Sequence, residues 1–80
     1  MFNNGIILTY GTKAIAIQDK NKQQYYAPFD NVDSDVFDML DKTIRLSVIF
    51  KIDYENYSGY IKGKKRFYAY DVKLYDTILI

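Results

Sequence analysis

One stretch constrains this chain more than any other. From residue 44 to residue 54, Ile44, Leu46, Val48, Phe50, Ile52 and Tyr54 fall on one parity. Arg45, Ser47, Lys51 and Asp53 fall on the other, with Ile49 as the single apolar exception. Alternation of this length is the pattern of a half-buried antiparallel strand, because successive side chains in a strand point to opposite faces. The strand is long enough to bend around a barrel. A helix would have to bury its apolar residues every three to four positions, which this stretch does not allow.

The flanks supply more short β segments. Gly5-Ile6-Ile7-Leu8-Thr9-Tyr10 is β-rich and ends at the turn signal Gly11-Thr12. Residues 13–18 alternate, with Ile15 and Ile17 on one face, and Asp19-Lys20-Asn21-Lys22 is a polar turn. Residues 23–29 make a third short strand that Pro28 closes, since proline cannot donate to a sheet ladder. Asn31 to Asp35 is rich in helix-capping residues, and Val36, Phe37 and Leu40 follow at helical spacing, so a short helical turn is expected to plug the sheet. Residues 55–65 read as a loop or mobile hairpin with two glycines. A last strand runs from Arg66 to about Leu74, with Tyr68, Tyr70, Val72 and Leu74 on one face and Phe67, Ala69, Asp71 and Lys73 on the other.

At 80 residues the chain has room for a single domain with a thin core. Five strands are too few for a sandwich, whereas a closed barrel buries one face and removes sheet edges. The expectation is an all-β, small five-stranded antiparallel Greek-key barrel of OB type, with one short helical turn between strands 3 and 4.

Composition narrows the chemistry. The chain has no Cys and no His, which removes disulfides, thiolates and the commonest general base and metal ligand. Ser34, Ser47 and Ser58 have no histidine to activate them, and no Walker glycine loop or zinc signature is present. The expectation is a binding protein without cofactor or metal, not an enzyme. Asp33, Asp35 and Asp38 lack the glycine and terminal glutamate of a calcium loop. The N-terminus carries no signal-peptide pattern and no apolar run approaches membrane-spanning length, so a cytoplasmic location without membrane contact is expected.

The net charge is +1, so bulk charge does not argue for nucleic acid. Its distribution is uneven. Asp30, Asp33, Asp35, Asp38 and Asp41 crowd one segment, and Lys62, Lys64, Lys65 and Arg66 crowd another. The acidic segment suits helix capping, would repel phosphate, and would also suit mimicry of nucleic acid toward a basic protein. The 9 Tyr and 5 Phe supply the aromatic surface. Tyr10, Tyr25, Tyr26, Phe29, Tyr68 and Tyr70 could form a stacking face beside basic residues, as single-strand binding requires. Tyr57 and Tyr60, with Tyr54, sit on the glycine-containing segment before the basic run and suit either base stacking or a protein-binding hot spot.

Gly5-Ile6-Ile7-Leu8-Thr9-Tyr10-Gly11 followed by Lys13-Ala14-Ile15-Ala16-Ile17 resembles the opening of a bacterial cold-shock domain. Gln24-Tyr25-Tyr26-Ala27-Pro28-Phe29 is similar to that family's second motif. Val32 to Leu40 resembles its serine-bearing turn, Thr43 to Phe50 its following strand, and Tyr70-Asp71-Val72 its last motif. Thr9 stands where the family has Trp, and Pro28 where it has His. The resemblance implies an OB fold that stacks single-stranded RNA or DNA on an aromatic platform at Tyr10, Tyr26 and Phe29. It places Lys13 in the opening motif beside them.

Two functional readings follow. In the first, the chain binds single-stranded nucleic acid weakly and with little sequence preference, through the aromatic face and the basic loop Lys62, Lys64, Lys65 and Arg66. In the second, the same barrel binds a protein, for example as a small phage or mobile-element inhibitor of a host protein, with Tyr57 and Tyr60 as anchors. The apolar tail Ile78-Leu79-Ile80 leaves a homodimer through an open strand edge as a further expectation.

Overall fold

The computed structural model describes residues 2–40 and 45–78. Five strands account for most of them: β1 (Asn3–Tyr10), β2 (Ala14–Gln18), β3 (Gln24–Pro28), β4 (Arg45–Ile61) and β5 (Lys64–Ile78). A one-turn 3₁₀ helix (Phe29–Asn31) and a short α1 (Ser34–Met39) lie between β3 and β4. Among the described residues no helix is long and apolar enough to cross a membrane.

The strands close into a barrel in the order β1-β2-β3-β5-β4, with β4 pairing back onto β1. This is the OB-type order. The expectation of an antiparallel barrel is corrected at one seam, where β3 and β5 run parallel, with Tyr25 opposite Phe67 and Tyr26 opposite Tyr68. The reason is topological. A closed ring with an odd number of strands cannot alternate direction throughout, so one pair must be parallel. Here it falls where the chain leaves β3 through the helical plug and returns as the β4–β5 hairpin.

The core follows the alternation. Ile15 and Ile17 from β2, Tyr25 and Ala27 from β3, and Leu46, Val48 and Phe50 from β4 are buried. The rings of Tyr25 and Phe50 meet with centroids 5.0 Å apart. Ile52 is partly buried against this cluster. Ile44 lies outside the described residues, as do Thr43, Asp41, Leu79 and Ile80. Tyr54 departs from the expected inner face and is 69% exposed.

Its departure marks a bulge. Asp53 pairs with Tyr68 and Tyr57 with Phe67, so β4 carries three more residues than β5 over that interval. The Asp53 carboxylate holds the excess, accepting the Glu55 N–H at 3.1 Å and the Asn56 side-chain amide at 2.8 Å.

A second bulge corrects the expected faces of the last strand. Ala69 and Val72 are both buried, although they have opposite parity. Asp71 between them has φ of 52°, and β5 advances three residues from Tyr70 to Lys73 while β4 advances two. The extra residue reverses the parity, so Phe67 and Ala69 face the core before it, and Val72 and Leu74 after it. Segment 55–65, expected as a loop or mobile hairpin, is largely strand. The ladder runs to the Ile61–Lys64 pair and turns through Lys62 and Gly63, whose φ values are 53° and 80°. Two positive φ values in a two-residue turn match the twist of the flanking strands.

The plug is tied to β5. The Asn31 side-chain amide donates to Ala69 O at 3.1 Å, and the Asp33 N–H donates to Val72 O at 2.9 Å. Val36 of α1 is fully buried, and Phe37 packs edge-on against Phe29 with centroids 4.8 Å apart. Ile78 pairs with Arg45 inside the β4–β5 ladder, so the described part of the tail belongs to the barrel.

Candidate nucleic-acid interface

Pairing aligns one row of outward positions across the barrel wall. Thr9 pairs with Ala16, Ala16 with Tyr26, Tyr26 with Tyr68, and Tyr68 with Asp53. Partners on adjacent strands share a face, so the row is continuous. It carries the small residues Thr9 and Ala16 beside Tyr26 and Tyr68, both half-buried. Their rings meet edge to face with centroids 5.5 Å apart.

Arg66 completes the row. Its guanidinium carbon lies 5.2 Å from the Tyr26 ring centroid, within cation–π range. Nη2 reaches the Ser58 carbonyl and hydroxyl oxygens, each at 3.3 Å, which fixes the side chain against the hairpin. Nε is buried and has no hydrogen-bond partner among the described residues. A shallow concavity of about 440 Å³ opens beside this pair, walled by the β1–β2 turn and floored by Ala16 and Tyr26. The face of strands 2 and 3, bounded by the β1–β2 and β4–β5 connections, is where OB folds bind oligonucleotides.

The expected site residues divide. Tyr10, Lys13, Tyr26 and Arg66 all line this concavity. Tyr10 enters it from the end rather than the floor, because it pairs with buried Ile15 while Thr9 occupies the outward row. The bulge between Ile7 and Thr9 sets that parity. Phe29 does not join them. Its ring packs on Phe37 and the core below the barrel, and its N–H donates to Lys13 O at 2.9 Å. Of the three rings expected together, Tyr10 and Tyr26 share this concavity, Phe29 lies apart against Phe37, and Tyr26 meets Tyr68 instead.

Tyr57 and Tyr60 form a separate cluster on the hairpin. Their rings lie 5.5 Å apart, and Lys65 Nζ sits 5.0 Å from the Tyr57 ring centroid. A hydrogen bond with Tyr57 raises the Tyr60 hydroxyl above the ordinary tyrosine value. Lys62 and Lys64 flank them, both exposed. Asp30, Asp33, Asp35 and Asp38 are exposed on the plug elements. The β3 strand runs from the hairpin end, where Gln23 reaches Lys65 O, to the plug end at Phe29. The acidic residues therefore sit at the opposite end of the strand from the basic ones.

Tyr68 is one of the rings expected in an aromatic stacking face, but it is not among the platform positions that the cold-shock resemblance implies. The available signal was its i+2 spacing from Arg66, which puts both on the outer face. Lys22 and Ser58 gave no such signal, because each meets Arg66 or its neighbours only through tertiary contact.

No protein-family model, curated protein or solved structure matches the chain.

Proposed function

We propose that this chain is a cold-shock-like OB module that binds single-stranded RNA or DNA, weakly and with little sequence preference. The observation that carries the reading is Arg66 held over Tyr26 beside Tyr68 on the outer face of β2 and β3. Aromatic rings beside fixed cations stack any base and neutralise any backbone, so they bind without reading sequence. The hairpin lysines would add phosphate contacts and make affinity fall with salt.

The test is fluorescence anisotropy with short labelled single-stranded RNA and DNA at low and moderate salt. Saturable binding is expected, weakening as salt rises. Tyr26→Ala should weaken it by ~1–3 kcal/mol, the usual worth of one stacked base. Lys64→Ala with Lys65→Ala should flatten the salt slope by about 1.4, at ~0.7 per phosphate contact. Absence of binding at low salt would overturn the reading.

A second reading rests on the hairpin. Tyr54, Tyr57 and Tyr60 are 69%, 43% and 59% exposed, a concentration of rings that suits a protein partner. Under it, Tyr57→Ala with Tyr60→Ala abolishes capture of that partner and spares oligonucleotide binding.

A further inference from the structure

A second concavity lies between the β2–β3 turn and the hairpin tip. Lys22, Lys62, Lys64, Lys65 and Arg66 line it, and no carboxylate does. These are five of the chain's eleven basic residues, gathered around one opening in a protein whose basic and acidic residues nearly balance. None of the five stands within ion-pair distance of a described carboxylate. Like charges so placed repel one another until an anion enters.

The enclosure is built by tertiary contact. The Gln23 side-chain amide donates to Lys65 O and to Gln24 O, pinning the hairpin to the turn. Asp19 holds the turn itself, accepting the Asn21 and Gln23 N–H groups at 2.9 and 3.0 Å. Its other oxygen accepts the Tyr25 hydroxyl at 2.8 Å. The Asp19 carboxylate of the same turn is thereby engaged inside it, while Lys22 is exposed, with φ of 66°. The cavity measures about 230 Å³, below the ~300–1,000 Å³ of ordinary small-molecule pockets. It suits a compact anion better than a base.

Arg66 lines both concavities, and its buried Nε has no partner among the described residues. An oxyanion paired with the Arg66 guanidinium would lie next to whatever stacks on Tyr26. We propose that this cavity is a phosphate subsite that takes one backbone phosphate of a single strand whose adjoining base stacks on Tyr26. The subsite adds Lys22 and Gln23 to the interface. It rests on the single-strand reading for the identity of its ligand, and on its own geometry for the capture of an anion.

Two measurements on the full chain separate these. The first is an amide and side-chain NMR titration with inorganic pyrophosphate at low ionic strength. Saturable shifts confined to Lys22, Gln23 and residues 61–66 are expected. Shifts spread equally over Lys20, Lys51 and Lys73, or no shifts, would overturn the subsite. The second is competition by single-stranded hexanucleotides carrying one neutral methylphosphonate linkage at each position in turn. Neutralising one particular linkage should weaken binding about tenfold and the others no more than two- to threefold. Lys22→Gln should weaken the all-phosphate strand severalfold and leave the strand lacking that one charge unaffected, since partners removed together show coupling. Equal effects at every linkage would overturn the subsite and leave the single-strand reading standing. Localised pyrophosphate shifts without any oligonucleotide binding would overturn the single-strand reading and leave the anion site standing.

Discussion

Gly5 occupies a position where no side chain fits. A Cβ there would lie 2.5 Å from Ile17 Cγ2 and 3.0 Å from both Gln18 O and Phe50 Cε1. Backbone and core would both have to move. Gly5→Ala is expected to lower stability by roughly 1–3 kcal/mol, the usual cost of overpacking, read as a reduced urea midpoint with unchanged slope. Tyr25 makes a different contribution. Burial first, and then the hydrogen bond to Asp19, raise its hydroxyl far above the ordinary tyrosine value. The unfolded chain would ionise near pH 10 while the folded chain resists. The contribution of Tyr25 is therefore intact below about pH 10 and declines progressively above it as pH approaches the folded value. Tyr25→Phe should lower neutral-pH stability by about 1 kcal/mol, the worth of the lost hydrogen bond. It should also flatten the alkaline decline of the thermal midpoint.

At the scale of elements, the β4–β5 hairpin is the organiser. Its irregularities decide which side chains meet. The Asp71 bulge lets Tyr70 face outward and Val72 inward two residues later, so one strand serves both the outer face and the lower core. Asp71 also lies 3.5 Å from Lys51 Nζ, but both are well exposed and the pair adds little. Backbone conformation is the larger effect. Asp71→Val should lower the thermal midpoint by an amount equivalent to roughly 1–2 kcal/mol, because a β-branched residue resists the left-handed region. Asp71→Gly should retain the fold. A midpoint unchanged by the valine would show that the bulge is not conformationally demanding.

For the whole molecule, closure is the consequential property. Each strand is paired on both sides within one ring, and the plug is bonded to β5. Loss of one strand therefore opens the core shared by all. A single cooperative urea transition is expected, coincident by far-UV circular dichroism and tyrosine fluorescence. Transitions that separate would mean that the hairpin melts independently of the ring. Closure also separates the charges. It leaves Asp30, Asp33, Asp35 and Asp38 exposed on the plug and sets the basic hairpin tip beside the β2–β3 turn. Positive charge is thus localised, although the net charge is only +1.

The residues from Leu46 to Ile52, with Ile15 and Ile17, declare their inner face without help from any neighbour. Alternation is a local property of an extended chain, so they determined a half-buried sheet and most of its core. Pro28 ending β3 was legible for the same reason: its fixed φ and missing N–H belong to the residue itself. Three things required the tertiary structure. One was the parity beyond each bulge, since an extra residue is extra only relative to its partner strand; this moved Tyr54 outward and separated Tyr70 from Val72. Another was the fate of Phe29, whose apolar ring suited a platform as well as a plug until α1 supplied Phe37. The last was the meeting of Lys22 with the hairpin lysines about forty positions away. Convergence of that kind is created by barrel closure, and no local pattern encodes which loops a closed ring brings together.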